Sequence, residues 1–226
     1  MGRSFLGWLD SRFHFSFADY YNPDNIRFGA LRVLNDDLVE PGTGFDTHPH
    51  QDMEIISYVI DGELTHADSM GNQSTLSRGQ VQYMSAGTGV LHSEHNRGSK
   101  MLRFLQIWIL PDRRGHTPNY GEYRFAMADR ENKWLPIATG VNNSASDAPV
   151  KIHQDVNIFA ATLEKDKPLD FSVTQGRQAY LVLIEGSADI NGIRLGMRDA
   201  MEITEENITI TAEEAAHCFL IEMEKE

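Results

Sequence analysis

Strand-length runs of β-branched and aromatic residues, each closed by a glycine-bearing turn, recur along most of this chain. "EIISYVIDGELTHAD", "RFLQIWIL", "AYLVLIEGSADINGIRL" and "NITITAEEAAHCFLIEM" are examples. Successive side chains of a strand point to opposite faces, so alternation of Val, Ile, Tyr and Phe with polar residues marks half-buried strands. Asp-Gly, Glu-Gly and Asn-Gly supply the positive φ that tight hairpins need. No segment sustains a helical period. The pattern predicts an all-β chain built of hairpins in a sandwich or barrel.

The pattern is also duplicated. "YVIDGELTHADSMGN" aligns with "VLIEGSADINGIRLG" about Gly62 and Gly186, 124 positions apart, and "LSRGQVQYM" and "GMRDAMEIT" follow as a turn and a strand. Two copies of one β unit predict two stacked barrels with few short helices. Between them "SASDAPV" is small, polar and proline-bearing and follows "GVNN", which predicts a linker. The expected division is a first domain over 1–136, a linker over 137–150 and a second domain over 151–226.

Composition narrows the partners. A net charge of −13 argues against a general nucleic-acid binder and against an anionic membrane surface. Cys218 is the single cysteine, so an intrachain disulfide is impossible and an oxidising compartment is not indicated. Leu6 stands where a myristoylation signal needs Ser or Thr, and the apolar run of "MGRSFLGWLDSRFHFSF" is too short and interrupted for a signal peptide or span. A cytoplasmic monomer is expected.

Chemistry concentrates in two short stretches. In "GTGFDTHPHQDME" His48 and His50 are two apart, and in "GTGVLHSEHN" so are His92 and Glu94. Residues two apart on a strand share a face. His92 follows His50 by 42 positions, with a hairpin pattern between. If both strands line one barrel, they present three imidazoles and a carboxylate to a single ion and leave open positions for a ligand. Either stretch alone is weak, because an isolated H-x-H more often faces solvent. The duplication supplies a test: 124 positions after His48, His50 and Glu54 stand Ser172, Thr174 and Gln178. A β unit of this kind therefore folds without the histidines, which favours metal binding over a structural role.

These stretches resemble the cupin superfamily. Gly42, His48, His50, Glu54 and Gly62 follow its first motif, with one extra residue before the last glycine. Gly79, Gly89, His92 and Asn96 follow the second, although Ser85 stands where proline is usual. Within cupins the chain resembles the pirin family through "GWLDSRFHFSFADYYNP", "LRVLNDD", "GTGFDTHPHQDMEIISYVIDGELTHADSMGN", "MSAGTGVLHSEHN" and "LQIWILP", which cover most of positions 7 to 111. The second half matches more loosely, as that family's metal-free domain does. One position departs: Phe13 stands where the family usually has histidine, and His14 follows it.

The resemblance implies a bicupin whose ligands are His48, His50, His92 and Glu94. In the usual cupin pattern the carboxylate is the first motif's glutamate, here Glu54. Strand parity leaves both open, since Glu54 shares a face with His50 and Glu94 with His92. Distance favours Glu94, because residues two apart are ~6.6–6.8 Å apart and Glu54 lies twice as far from His50. Glu54 is expected to orient a histidine instead. The implied activity is metal-dependent cleavage of a flavonol such as quercetin by molecular oxygen, with carbon monoxide released and Glu94 as base for the 3-hydroxyl. Fe²⁺ is the first choice of ion, and Mn²⁺, Co²⁺, Ni²⁺, Cu²⁺ and Zn²⁺ also suit three nitrogens and one oxygen. The alternative implied by the resemblance is a metal-binding regulatory protein that acts through a protein partner.

Other residues receive plainer readings. His66 and His95 are expected at the surface or on a pocket rim, and His116, His153 and His217 have no partner at metal-like spacing. Phe104 and Trp108 share parity and are expected in the core. Met53, Tyr58, Met84 and Phe45 fit either a pocket wall or the core.

Overall fold

The computed structural model describes residues 1–142 and 147–226. The chain forms two compact units, Met1–Phe125 with Ile152–Gln154, and Ala126–Lys151 with Asp155–Glu226. In the first unit, β1 (Gly2–Phe5), β2 (Leu9–Phe13), β3 (Leu31–Val39), β4 (Gly44–His50), β5 (Glu54–Asp61) and β6 (Leu64–Asp68) come first. They are followed by β7 (Gln73–Leu76), β8 (Val81–Ser85), β9 (Val90–His95), β10 (Leu102–Ile109) and β11 (Asn119–Tyr123). A seven-stranded sheet in the order β1-β2-β3-β10-β5-β8-β11 packs on a four-stranded sheet in the order β4-β9-β6-β7. The odd residues of β5 show how the layers meet. Val59 packs with Leu64 and Leu76 of the small sheet, and Ile55 packs with Val90.

The second unit runs β12 (Leu135–Gly140), β13 (Val150–Ile152), β14 (Val156–Leu163), β15 (Pro168–Ser172) and β16 (Arg177–Glu185). Then come β17 (Ala188–Ile190), β18 (Ile193–Leu195), β19 (Ala200–Thr204), β20 (Asn207–Ala212) and β21 (Ala216–Glu224). Its sheets are ordered β13-β12-β14-β21-β16-β19 and β15-β20-β17-β18. The duplication read from two glycines is therefore topological. The order β3-β10-β5-β8 recurs as β14-β21-β16-β19, and β4-β9-β6-β7 recurs as β15-β20-β17-β18.

Gly62 and Gly186 hold matching places, with φ near +79° and +81°. A Cβ at either would lie 2.6 Å from the Met101 carbonyl oxygen or 2.2 Å from that of Ala215. Left-handed φ and a backbone pressed against the turn both demand glycine there. Each unit is a cupin-type pair of sheets whose ladders stay separate among the described residues, so the expected barrel is open at its edges.

The domain division differs from the expected one. The expected linker over 137–150 begins inside β12, which pairs with β14 and belongs to the second unit. Part of "SASDAPV" lies outside the described residues. The physical reason is that "LPIATG" is a strand that buries its last four residues against β14 of the second unit, so the border lies ahead of it. Among the described residues no helix is long and apolar enough to cross a membrane.

Candidate metal centre

β4 is an edge strand of the small sheet, which is where a proline between two histidines is tolerated, because an edge residue can lack its N–H. Opposite it on β9, His48 pairs with His92 and His50 with Val90. The register shifts by one residue between Phe45 and His48. Such a bulge turns residues of odd spacing to one side, and Phe45 and His48 line the same cavity. The bulge also brings the Asp46 carbonyl within 2.7 Å of His48 Nδ1. A carbonyl only accepts, so His48 carries its proton on Nδ1 and keeps a bare lone pair on Nε2.

The three imidazoles converge. Ring centroids lie 4.8 Å apart for His48 and His50, 4.5 Å for His48 and His92, and 4.8 Å for His50 and His92. Nε2 of His48 and Nε2 of His92 are 3.0 Å apart. Metal–nitrogen bonds of about 2.0–2.1 Å at right angles place neighbouring donors about 3 Å apart, so this pair fits one edge of a coordination shell. Burial, followed by the neighbouring imidazoles, pushes His50 down to about 4 and His92 down to about 3. Both are therefore neutral donors at any ordinary pH. The donor set fits a divalent transition metal.

Glu94 follows His92 along unbroken β9, and both side chains are buried on the inner face. Its Oε1 accepts from Ser57 Oγ and Gln82 Nε2, each at 2.7 Å, and its Oε2 accepts from Gln106 Nε2 at 2.5 Å. The three donors stand on β5, β8 and β10, so Glu94 reaches across to the large sheet. A carboxylate has about four lone-pair sites, which leaves one on Oε2. Glu94 lines a cavity of about 310 Å³ together with His48 and His50. Its oxygens, however, group within 4.8 Å with His92 and His66, whereas His48, His50 and His92 form a separate cluster.

Two sequence expectations differ from the structure. His66 is not at the surface; it is fully buried, because β6–β9 register sets it directly opposite Glu94. Cross-strand partners share a face, and no spacing within one strand could have found this. Glu54 does meet a histidine, but it is His153: its carboxylate takes the His153 N–H at 3.2 Å, the Ser85 hydroxyl at 2.7 Å and His153 Nδ1 at 3.3 Å. The turn between β4 and β5 has Asp52 at φ +49°, so parity does not carry from His50 to Glu54. Glu54 lies on the face opposite Ser57, away from the cluster. Trp108 packs, partly buried, against Ile55, Met84 and Val90 as expected of a core-facing residue, and its ring also stands edge-on to His50 at 4.9 Å and to Phe17 at 5.3 Å.

The remaining histidines lie outside both clusters. His95 is partly exposed on the other face of β9 beside Asp46, His116 stacks on His153 with centroids 3.8 Å apart, and His217 pairs with Glu185. Phe13 lines the cavity, while His14, next along the chain, is buried away from it. Met53 and Met84 pack with Ile55 and Val90, and Tyr58 is buried on the outer face of β5.

Asp37 forms part of the cavity wall. Burial raises its carboxyl to about 7, with Asp36 and Glu94 adding and a Ser11 hydrogen bond opposing. The folded state thus holds this proton more tightly than the unfolded chain, whose value is 3.8. Stability from this group is full below about 4 and is lost as pH rises through 7. His14 acts in the other sense: burial lowers it to about 4 from 6.5, so its contribution is present above 6.5 and is lost as pH falls toward 4. Asp37→Asn is expected to raise the urea midpoint at pH 8 and to leave it unchanged at pH 4. An equal change at both pH values would mean that ionisation is not the cause.

Paired antiparallel sheets in each unit, with a histidine cluster suited to a metal ion in the first unit, define a two-domain cupin-type protein. The chain belongs to the pirin family: the Pirin family model matches residues 1–109, and the model described as quercetinase C-terminal cupin domain matches residues 124–223. It is 43% identical over 223 residues to a pirin-like protein of Caulobacter vibrioides, covering 98% of this chain and 95% of that one. It is 40% identical over 224 residues to the quercetin 2,3-dioxygenase of Escherichia coli K12, covering 98% and 94%. Among solved structures, the bacterial pirin YhhW of Escherichia coli in complex with nickel(II) superposes with a TM-score of 0.92 at 39% identity, covering 100% of this chain and 96% of that one.

Proposed function

We propose that the protein is a metal-dependent dioxygenase that cleaves a flavonol such as quercetin, with His48, His50, His92 and Glu94 as ligands and Fe²⁺ as the working ion. The observation that carries this reading is the convergence of three imidazoles, two of which, His48 and His50, stand at the wall of an aromatic cavity. When bound, the ion supplies Lewis acidity and a template for a deprotonated flavonol hydroxyl. The protein's own groups supply the rest. Phe13, Phe17, Phe45 and Trp108 line a cavity of about 310 Å³, near the lower end of the ~300–1,000 Å³ usual for small-molecule sites. Their faces suit flat rings and exclude water. The indole N–H of Trp108 is buried with no hydrogen-bond partner among the described residues and is available to a substrate carbonyl.

Glu94 is the base in this reading. The one lone pair left on its Oε2 would hold the ion before substrate enters. Once the flavonol displaces the carboxylate, that lone pair takes the proton of the 3-hydroxyl, and Ser57, Gln82 and Gln106 keep the carboxylate beside it. Oxygen then adds across the heterocycle, which opens with loss of carbon monoxide. The test is anaerobic loading with each of iron, manganese, cobalt, nickel, copper and zinc, followed by oxygen and quercetin. Loss of flavonol absorbance with release of carbon monoxide is expected. No turnover with any of them would leave a regulatory protein acting through partners as the reading. Glu94→Gln is expected to lower kcat by ~10²–10⁴-fold, the usual share of a general base. A variant that keeps both metal and full turnover would remove Glu94 from that role.

A further inference from the structure

His66 and Asp68 on β6 have no part in the reading above, yet they lie against its ligands. Across the β6–β9 ladder His66 faces Glu94 and Asp68 faces His92. The His66 ring is fully buried and stacks on Tyr120, with centroids 4.4 Å apart and planes within 11°. Tyr120 is in turn pinned by its hydroxyl to Ser74 at 2.5 Å. The ring is therefore fixed in orientation.

The hydrogen bonds also determine where its proton sits. Asp68 Oδ1 accepts from Met70 N at 2.9 Å, Asn72 N at 3.0 Å and Asn72 Nδ2 at 3.1 Å. Oδ2 accepts from Asn72 Nδ2 at 2.9 Å and meets His66 Nε2 at 3.1 Å. Both oxygens of Asp68 thus act as acceptors, which is the part an ionised carboxylate plays. An ionised carboxylate only accepts, so His66 donates from Nε2 and its Nδ1 is bare. That Nδ1 is buried with no hydrogen-bond partner among the described residues, and so is Nδ1 of His92. The two rings are 5.5 Å apart by centroid. A buried polar atom without a partner is costly, and two such atoms on neighbouring rings are complementary if one carries a proton.

We propose that His66 is a positioning residue for the metal centre. Once His92 lends its Nε2 lone pair to the ion, its proton rests on Nδ1 and donates to the bare Nδ1 of His66, whose own N–H is held by Asp68. The line Asp68–His66–His92 then orients the deepest of the three imidazoles and raises its basicity, as outer hydrogen bonds to metal-bound histidines do. This rests on the metal-binding reading and adds two residues that reading does not need.

The test measures Zn²⁺ affinity by competition with a chromophoric chelator, together with nitrogen NMR of the histidine rings. Loss of an outer partner typically weakens metal binding ~10–100-fold, and that loss is expected for His66→Leu. His66→Gln, whose side-chain carbonyl can accept in place of Nδ1 and whose amide can still donate to Asp68, is expected to restore most of it. Asp68→Asn can offer an amide N–H to His66 Nε2, moving the His66 proton to Nδ1, and is expected to weaken binding with both histidines intact. In Zn²⁺-loaded wild type the NMR signature is a proton on Nδ1 of His92 and on Nε2 of His66. Wild-type binding with an unchanged His66→Leu variant would overturn the relay alone. Cadmium coupling to a His66 nitrogen would also overturn it, by making His66 a ligand. Failure of the wild type to bind any divalent ion would overturn the metal reading and the relay together.

Discussion

His92→Ala is expected to lower divalent-metal affinity by about a hundredfold and to abolish oxygen-dependent quercetin loss. Structural zinc sites with four protein donors are worth ~10–16 kcal/mol, so one donor accounts for roughly 3 kcal/mol, or about two powers of ten. His92 is the informative choice because both clusters of candidate donors include it. It is buried, already neutral, and carries the Nε2 that lies 3.0 Å from that of His48. The control is His95→Ala on the same strand. Its ring lies on the opposite face of β9, partly exposed beside Asp46, so binding is expected to stay within about threefold. Titration of both variants with Co²⁺, followed by its visible absorption, separates ligand loss from unfolding. Equal affinity in His92→Ala and wild type would remove the three-imidazole cluster as the metal site.

Phe104→Ala is expected to destabilise the first unit by about 3–5 kcal/mol, the usual cost of emptying a buried phenylalanine site. Phe104 is fully buried on β10, the strand between β3 and β5, and packs with Leu9, Val39, Val59, Leu64 and Leu76. Both sheets contribute to that cluster, so they have little room to close over the gap. Domains of this size are stable by only ~5–15 kcal/mol. With urea slopes of ~1–3 kcal/mol per molar, the midpoint is expected to fall by at least about 1 M. Exposed Leu6 provides the comparison, since Leu6→Ala is expected within about 0.5 kcal/mol. A Phe104→Ala midpoint equal to that of Leu6→Ala would mean that the inner layer is not the main source of stability.

The two predictions draw on different kinds of information. The burial of Phe104 follows from alternation along β10, and Trp108 has the same parity, yet it borders the cavity. Parity assigns a face; what stands opposite that face depends on the other sheet. The candidate donors divide in the same way. His48 with His50, and His92 with Glu94, were legible as pairs because each pair lies within one uninterrupted strand. Glu54 was misplaced because the positive φ at Asp52 breaks the parity count between strands of different sheets. His66 was missed because only the register of β6 on β9 sets it opposite Glu94.

By itself the sequence determined the all-β class, the repeated unit with its paired turn glycines, and the two strands that carry metal-type side chains. These are local properties, since strand periodicity and turn conformation are decided within a few residues of chain. Tertiary structure alone decided which histidines meet, that His66 lies opposite Glu94, that Glu54 turns to His153 and where the two units part. Those outcomes depend on a one-residue bulge at Phe45–His48, on ladder register and on the packing of one sheet over another. All three are set by pairings between residues far apart in the chain, and a one-residue change in register reverses the face of every side chain involved.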